Sequence, residues 1–189
     1  MAFFYDEEDG AWGFSPEDRG SCVVVHDCTP AEATLQATPP SPEPILHPSQ
    51  SVAMRPHLSM PTPDRAGISL LELEEAEWEA IDEFSLSIKG DGLLHQVAGW
   101  PHPIQNDIME LESQLASNGV YCGGPDGYAS DAAKALAPGA DEWRLLLQLD
   151  SDDASEMMWG DGGILYFWVR EGDARAGNFA NVWLILQCY

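Results

Sequence analysis

Four carboxylates crowd one stretch late in the chain: Asp150, Asp152, Asp153 and Asp161. Hard divalent cations want several carboxylate oxygens, so Asp150, Asp152 and Asp161 are the candidate metal ligands. They do not follow the calcium-loop pattern. Counting from Asp150, position five is Ala154, position six is Ser155 where glycine is needed, and position twelve is Asp161 rather than glutamate. The competing reading is a strand-end turn whose Asp side chains accept backbone amides. Asp152 and Asp161 are also a carboxylate pair of the kind that does general acid–base work, but no histidine or nucleophile accompanies them.

A second set surrounds Gly99-Trp-Pro-His-Pro-Ile-Gln105. Two prolines fix that backbone, and rigid loops of this kind present ligands. Trp100, His102 and Gln105 are its candidates, and His102 is the one that titrates near neutrality. The same loop can instead close the end of a sheet. Trp159, in Trp159-Gly-Asp161, adds an aromatic at a strand entrance, beside glycines that serve a turn or a close backbone approach. Gln148 and Gln187 interrupt apolar strands and must find hydrogen-bond partners, across the sheet or in a pocket. Trp100, His102, Gln105, Gln148 and Trp159 are therefore the candidate ligand-binding residues. No nucleophile elbow, phosphate-binding Gly-Lys loop or zinc-spaced Cys/His set is present, so no catalytic residue and no cofactor is nominated.

The elements that position these residues are legible in the last third. Trp143-Arg-Leu-Leu-Leu-Gln-Leu-Asp150, Gly163-Ile-Leu-Tyr-Phe-Trp-Val-Arg170 and Val182-Trp-Leu-Ile-Leu-Gln-Cys-Tyr189 read as three strands, dense enough to build a core. Ala2-Phe-Phe-Tyr5 and Val23-Val-Val25 are shorter apolar runs, with a turn signal at Asp9-Gly10. Residues 29–63 hold nine of the fourteen prolines and read as an extended segment, part surface wrap and part linker. Ser69-Leu-Leu-Glu72 is a capping box that opens an acidic helix with Leu70, Leu73, Ile81 and Phe84 near one face and Trp78 beside it. That helix either docks with a solvated acidic face or offers the face to a basic partner. Gly90-Asp91-Gly92 breaks the chain after it. Asp107 to Asn118, with Ile108, Leu111 and Leu115 on one side, and Ser130 to Leu136 are two short helices. Phe3-Phe-Tyr-Asp6 through Trp12-Gly-Phe14 faintly repeats Tyr166-Phe-Trp168 through Phe179, which points to two related β-rich halves.

The balance of charge narrows the partners. The 189 residues carry 32 acidic against 8 basic side chains, a net charge of −24. Such a surface repels nucleic-acid backbones and anionic membranes, and steers a basic protein toward it. Cys22, Cys28, Cys122 and Cys188 contain no Cys-x-x-Cys pair and read as reduced thiols. Asp6, Glu7, Glu8 and Asp9 within the first ten residues are incompatible with a secretory signal, and no run approaches the roughly 20 apolar residues a membrane span needs. The expectation is a cytoplasmic protein of a single domain, 1–189.

Taken together, Gly99–Gln105, Trp143–Asp152, Trp159–Trp168, the closing Trp183–Tyr189 and the Phe3–Phe14 region resemble the YwqG-like family, a bacterial domain of unknown function. The resemblance touches most of the chain outside 29–63. It implies an α+β fold, mainly antiparallel sheet with a duplicated β-rich half and a few peripheral helices. Members of the family carry an N-terminal Leu-rich strand that would partner Leu145–Asp150; the chain opens after it, so an N-terminally truncated copy is expected. Relatives placed near toxin genes imply an immunity-like role. The favoured function is protein binding through an acidic and aromatic surface; the alternative is a small-ligand or divalent-metal site near Trp100, His102, Asp152 and Asp161.

Overall fold

Ile164-Leu-Tyr-Phe-Trp-Val169 has no polar alternation at all, the pattern of a strand covered on both faces. A computed structural model, which describes residues 1–26, 47–63, 65, 71–89 and 92–189, meets that requirement. Four antiparallel strands form one sheet in the order β3 (Gln96–Val97), β4 (Trp143–Asp150), β5 (Ile164–Arg170) and β6 (Trp183–Gln187). Two more, β1 (Ala2–Tyr5) and β2 (Cys22–Val25), pair antiparallel as a separate ribbon. With five α-helices among the described residues, the fold is α+β. No helix among the described residues is long and apolar enough to cross a membrane.

Side-chain alternation along the strands separates two cores. Trp143, Leu145, Ile164, Tyr166, Trp168, Trp183 and Ile185 face α2 (Met109–Ser117) and α4 (Asp131–Leu136), where Met109, Leu115, Ala116 and Ala133 complete the cluster. Leu165, Phe167, Val169, Leu184 and Leu186 face the ribbon and meet Phe3, Tyr5 and Val24. Each fully buried large side chain contributes about 1.5–3 kcal/mol. The chain therefore stacks helices, sheet and ribbon.

The register of β4 slips between Leu145 and Leu147. The extra residue, Leu146, re-aims the remainder of the strand. Before it, odd-numbered Trp143 and Leu145 face the helices; after it, Gln148 and Asp150 do. Without the bulge Gln148 would point at the apolar ribbon side.

The helices adjust the reading of the sequence. The acidic helix, α1, runs Glu75–Lys89. Ser69, proposed as its cap, lies outside the described residues, as do Leu70, the Gly90–Asp91 break, Cys28 and the prolines at 30–44. The observed cap is Glu74, whose amide donates to the Glu77 carboxylate at 2.9 Å. Leu73 precedes the helix, and the half-buried stripe is Trp78, Ile81, Ser85 and Ile88 rather than one ending at Phe84, which is 47% exposed. In α2 the expected stripe also shifts: Ile108 takes the non-helical cap position and is exposed, while Met109, Glu112, Leu115 and Ala116 are buried. Ser130 caps α4 by accepting from the Ala133 amide. Two short helices, α3 (Pro125–Ala129) and α5 (Glu171–Ala176), occupy stretches with too few turns for an apolar period to register. Residues 47–63 contain neither helix nor strand.

Loop 12–14 runs along the outer edge of β6. The Leu186 amide donates to the Trp12 carbonyl at 3.0 Å, and Trp183 Nε1 donates to the Gly13 carbonyl at 2.8 Å. Gly13 has φ +87, and a Cβ there would fall 1.9 Å from the Leu184 carbonyl oxygen. Gly10 has φ +58, but its nearest neighbour would be 4.0 Å away. Gly10→Ala should therefore cost only about 1 kcal/mol, the left-handed penalty, while Gly13→Ala should cost more than about 3 kcal/mol, since backbone must move. Urea unfolding of the two variants checks this; equal losses would mean that the loop yields freely at the β6 edge.

Candidate functional site

The Pro-bracketed loop is fixed from below by two fully buried glutamines. Gln148 Oε1 accepts from the His102 amide at 2.9 Å, and its Nε2 donates to the Leu94 carbonyl at 2.6 Å. Gln187 Oε1 accepts from the Ile104 and Gln105 amides at 2.9 and 3.1 Å, and its Nε2 donates to the Asn106 carbonyl at 2.9 Å. Tyr166 OH donates to the His102 carbonyl at 2.6 Å. These side chains come from three adjacent strands and bond to the backbone of the loop and of its flanks at Leu94 and Asn106 rather than to one another across the sheet. A buried amide that satisfies both its oxygen and its nitrogen specifies a single loop position.

The loop's own side chains lie apart. Trp100 is 42% exposed, with the Arg65 guanidinium 4.7 Å from its ring centre. Arg65 in turn pairs with Asp107 at 2.6 Å and Glu110 at 2.8 Å. His102 is half-buried, and burial, assisted by Lys89 and His57, pulls its imidazole below the ordinary value. Gln105 is exposed, and its amide donates to the Cys188 carbonyl at 2.9 Å.

Two of the carboxylates at and after the end of β4, Asp150 and Asp152, are likewise engaged by the protein. Asp150 Oδ2 accepts from the Leu94 amide at 2.9 Å. Asp152 accepts from the Ala154 amide at 2.9 Å and the Ser155 hydroxyl at 2.6 Å, closing the short 3-10 turn Asp153–Ser155. The Ser155 hydroxyl, then the Ala154 amide, holds the Asp152 carboxyl below the usual range. Asp161 is exposed. No group of three or more His, Cys, Asp or Glu among the described residues is arranged to hold a metal ion.

Trp159 belongs to a different feature, a groove of about 610 Å³ between the ribbon and the sheet. Phe3, Tyr5, Trp159 and Leu149 line it, with Asp6, Glu7 and Glu8 on its acidic side. Trp159 is 5% exposed: Tyr5 and His47 meet its ring edge-on at 5.9 and 5.7 Å, and its Nε1 donates to the Asp150 carbonyl at 3.2 Å. Burial, followed by the charges of Glu7, Asp6 and Asp18, pushes the Tyr5 phenol up to about 12. Burial alone pushes the Cys22 thiol up to about 12, so it is not a nucleophile at neutral pH. Sequence reasoning nominated Trp159 but not Tyr5, Glu7 or His47. The signal for Tyr5 was the alternation in Phe3-Phe-Tyr5; His47 gave none, since it sits among prolines.

Glu112 was missed too, although helical spacing places it between Ile108 and Leu115 on the apolar face. It is 1% exposed. Its Oε1 accepts from Asn106 Nδ2 at 3.1 Å and Tyr128 OH at 3.0 Å, while Oε2 has no partner among the described residues. Burial raises its carboxyl above the ordinary value, opposed by those two donors.

The chain belongs to the DUF1963 family, a domain of unknown function, which it matches over residues 1–188. A comparison with curated proteins gives no match.

Two expectations test the buried polar groups. Gln187→Leu strands two amides and a carbonyl and should cost about 3 kcal/mol, while Gln105→Leu at the surface should cost under about 1 kcal/mol. Urea unfolding and amide exchange at Ile104 and Gln105 measure it; an unperturbed loop in Gln187→Leu would show that the glutamine does not position it. For Glu112 the folded-state value lies above the unfolded 4.5, so the folded chain holds the proton longer. Its contribution to stability is whole below pH 4.5 and is lost as pH rises through the raised value. Glu112→Gln keeps the acceptor and removes the charge, and should gain about 1 kcal/mol at about pH 8 with a flatter stability profile. A profile as steep as the parent's would assign the titration elsewhere.

Proposed function

We propose that this chain is a protein-binding module that engages a basic partner through its acidic surface. The observation that carries the reading is α1. None of its residues is buried, and turns of 100° place Glu75, Glu79, Asp82 and Glu83 on the same side of the helix as Leu86, which is 71% exposed. A helix with a half-covered apolar stripe and an exposed apolar residue flanked by carboxylates is built to be met by another surface. A single Lys89 opposes these acids within the helix. An anionic partner is repelled by such a face, and a basic one is steered to it.

Within DUF1963 the chain is YwqG-like by its Gly99–Gln105 and Trp159–Trp168 motifs, and the finer form of the reading is an immunity-like role. The small-ligand alternative near Trp100, His102, Asp152 and Asp161 receives less support, because Trp100 is stacked by Arg65 and Asp152 closes its own turn.

The test is a basic protein partner found by cross-linking and then purified for titration calorimetry. The expected complex is nanomolar, weakens with salt, and loses about tenfold or more in affinity in Glu79→Gln/Asp82→Asn/Glu83→Gln, chiefly through association rate. Because no α1 residue is buried, the triple variant should melt as the parent does. Affinity unchanged by both salt and the triple variant would defeat the reading.

A further inference from the structure

The groove beside the ribbon combines two things that this chain pairs elsewhere. Arg65 lies 4.7 Å from the centre of Trp100 and reaches Asp107 and Glu110. Arg170 lies 4.7 Å from the centre of Trp143 and reaches Glu142 at 2.9 Å. In each case an indole and a carboxylate together seat a guanidinium, which stacks through its plane and donates through its edge. In the groove Trp159 and Glu7 stand in the same relation, but the group between them is an imidazole. His47 Nε2 lies 3.0 Å from Glu7 Oε2, its Nδ1 lies 3.1 Å from the Glu156 carbonyl, and its ring meets Trp159 at 68°. An imidazole so placed touches the indole by an edge and engages one carboxylate oxygen.

We infer that this groove binds an arginine side chain of a protein partner, with His47 as the internal occupant that the guanidinium displaces. The inference rests on the protein-binding reading and gives it a second, separate contact. Charge decides the chemistry of the occupant. Among the described residues the groove's walls carry Asp6, Glu7 and Glu8 against His47 alone. An anion is repelled there, and an apolar side chain would desolvate carboxylates without a counter-charge. A guanidinium is weakly hydrated and planar, and its five donors suit Glu7, Glu8 and the Glu156 carbonyl together. The volume of about 610 Å³ lies in the range of ligand-sized clefts and accommodates a whole side chain. When His47 leaves, the Trp159 ring loses one of the two aromatic rings that meet it and can take the stacked cation.

The experiment titrates the full chain with acetyl-Gly-Arg-Gly-amide and follows the tryptophan indole proton–nitrogen signals by NMR, with Trp159→Phe assigning one peak. The control is the same peptide with citrulline, which keeps the shape and loses the charge. A saturable shift of the Trp159 peak that weakens at least about tenfold with citrulline supports the site. His47→Ala should tighten the arginine peptide, since an internal competitor lowers the receptive fraction, and Glu7→Gln/Glu8→Gln should weaken it. Equal binding of the two peptides, or no movement of the Trp159 peak, overturns the site. An α1-dependent complex with a basic protein that leaves the Trp159 peak still removes the groove and keeps the protein-binding reading. A saturable arginine shift in a chain that forms no such complex supports the groove and removes that reading.

Discussion

A strand apolar on both faces must be covered twice, and β5 imposes that on everything around it. One cover is helical. It is tied down by Gln114 of α2, whose Oε1 accepts from Trp143 Nε1 at 3.0 Å and from Arg170 Nη2 at 2.6 Å. The other cover is a ribbon of two four-residue strands, which is marginal on its own and depends on burying Phe3, Tyr5 and Val24 against the sheet. The ribbon's strands are shorter than the face they cover, since β1 and β2 run four residues each and β4 runs eight. The groove is what that mismatch leaves. The buried glutamines sit on the helical side, where Gln148, Tyr166 and Gln187 hold the Pro-bracketed loop over the sheet.

The legible part of the fold is the part written in long apolar runs. β4 occupies the residues expected, and β5 and β6 lie within the expected runs, because eight-residue apolar stretches between turn signals have few alternatives. The start of α1 was not legible, since Glu74 and Glu77 form a cap with no serine or threonine to advertise it. The β4 bulge was not legible either: Leu145, Leu146 and Leu147 are chemically alike, and only the partner register shows which one is extra.

The candidate site divides along the same line. Gln148 and Gln187 were legible as residues needing partners, because an amide within an apolar strand cannot be left unpaired. Their partners were not, because a loop at residues 102–106 comes to them from 46 or more positions away. The groove was hidden for a similar reason. Tyr5, His47 and Trp159 are scattered along the chain, and only the ribbon lying on β5 brings them together.

Charge distribution then separates the stable frame from the surface. Arg65, Arg170 and Arg19 each lie over a tryptophan, and Arg144 and Arg175 share Glu171. Five of the chain's eight Lys and Arg side chains are thus engaged with its own tryptophans or carboxylates. α1 and the ribbon carry runs of carboxylates, Glu75 to Glu83 and Asp6 to Asp9, where like charges repel and few cations offset them. That repulsion opposes compaction and self-association alike, so the surface that carries it is not arranged for the stability of the isolated chain. A cation arriving at either place would relieve it, and the gain in free energy would appear as binding rather than as folding.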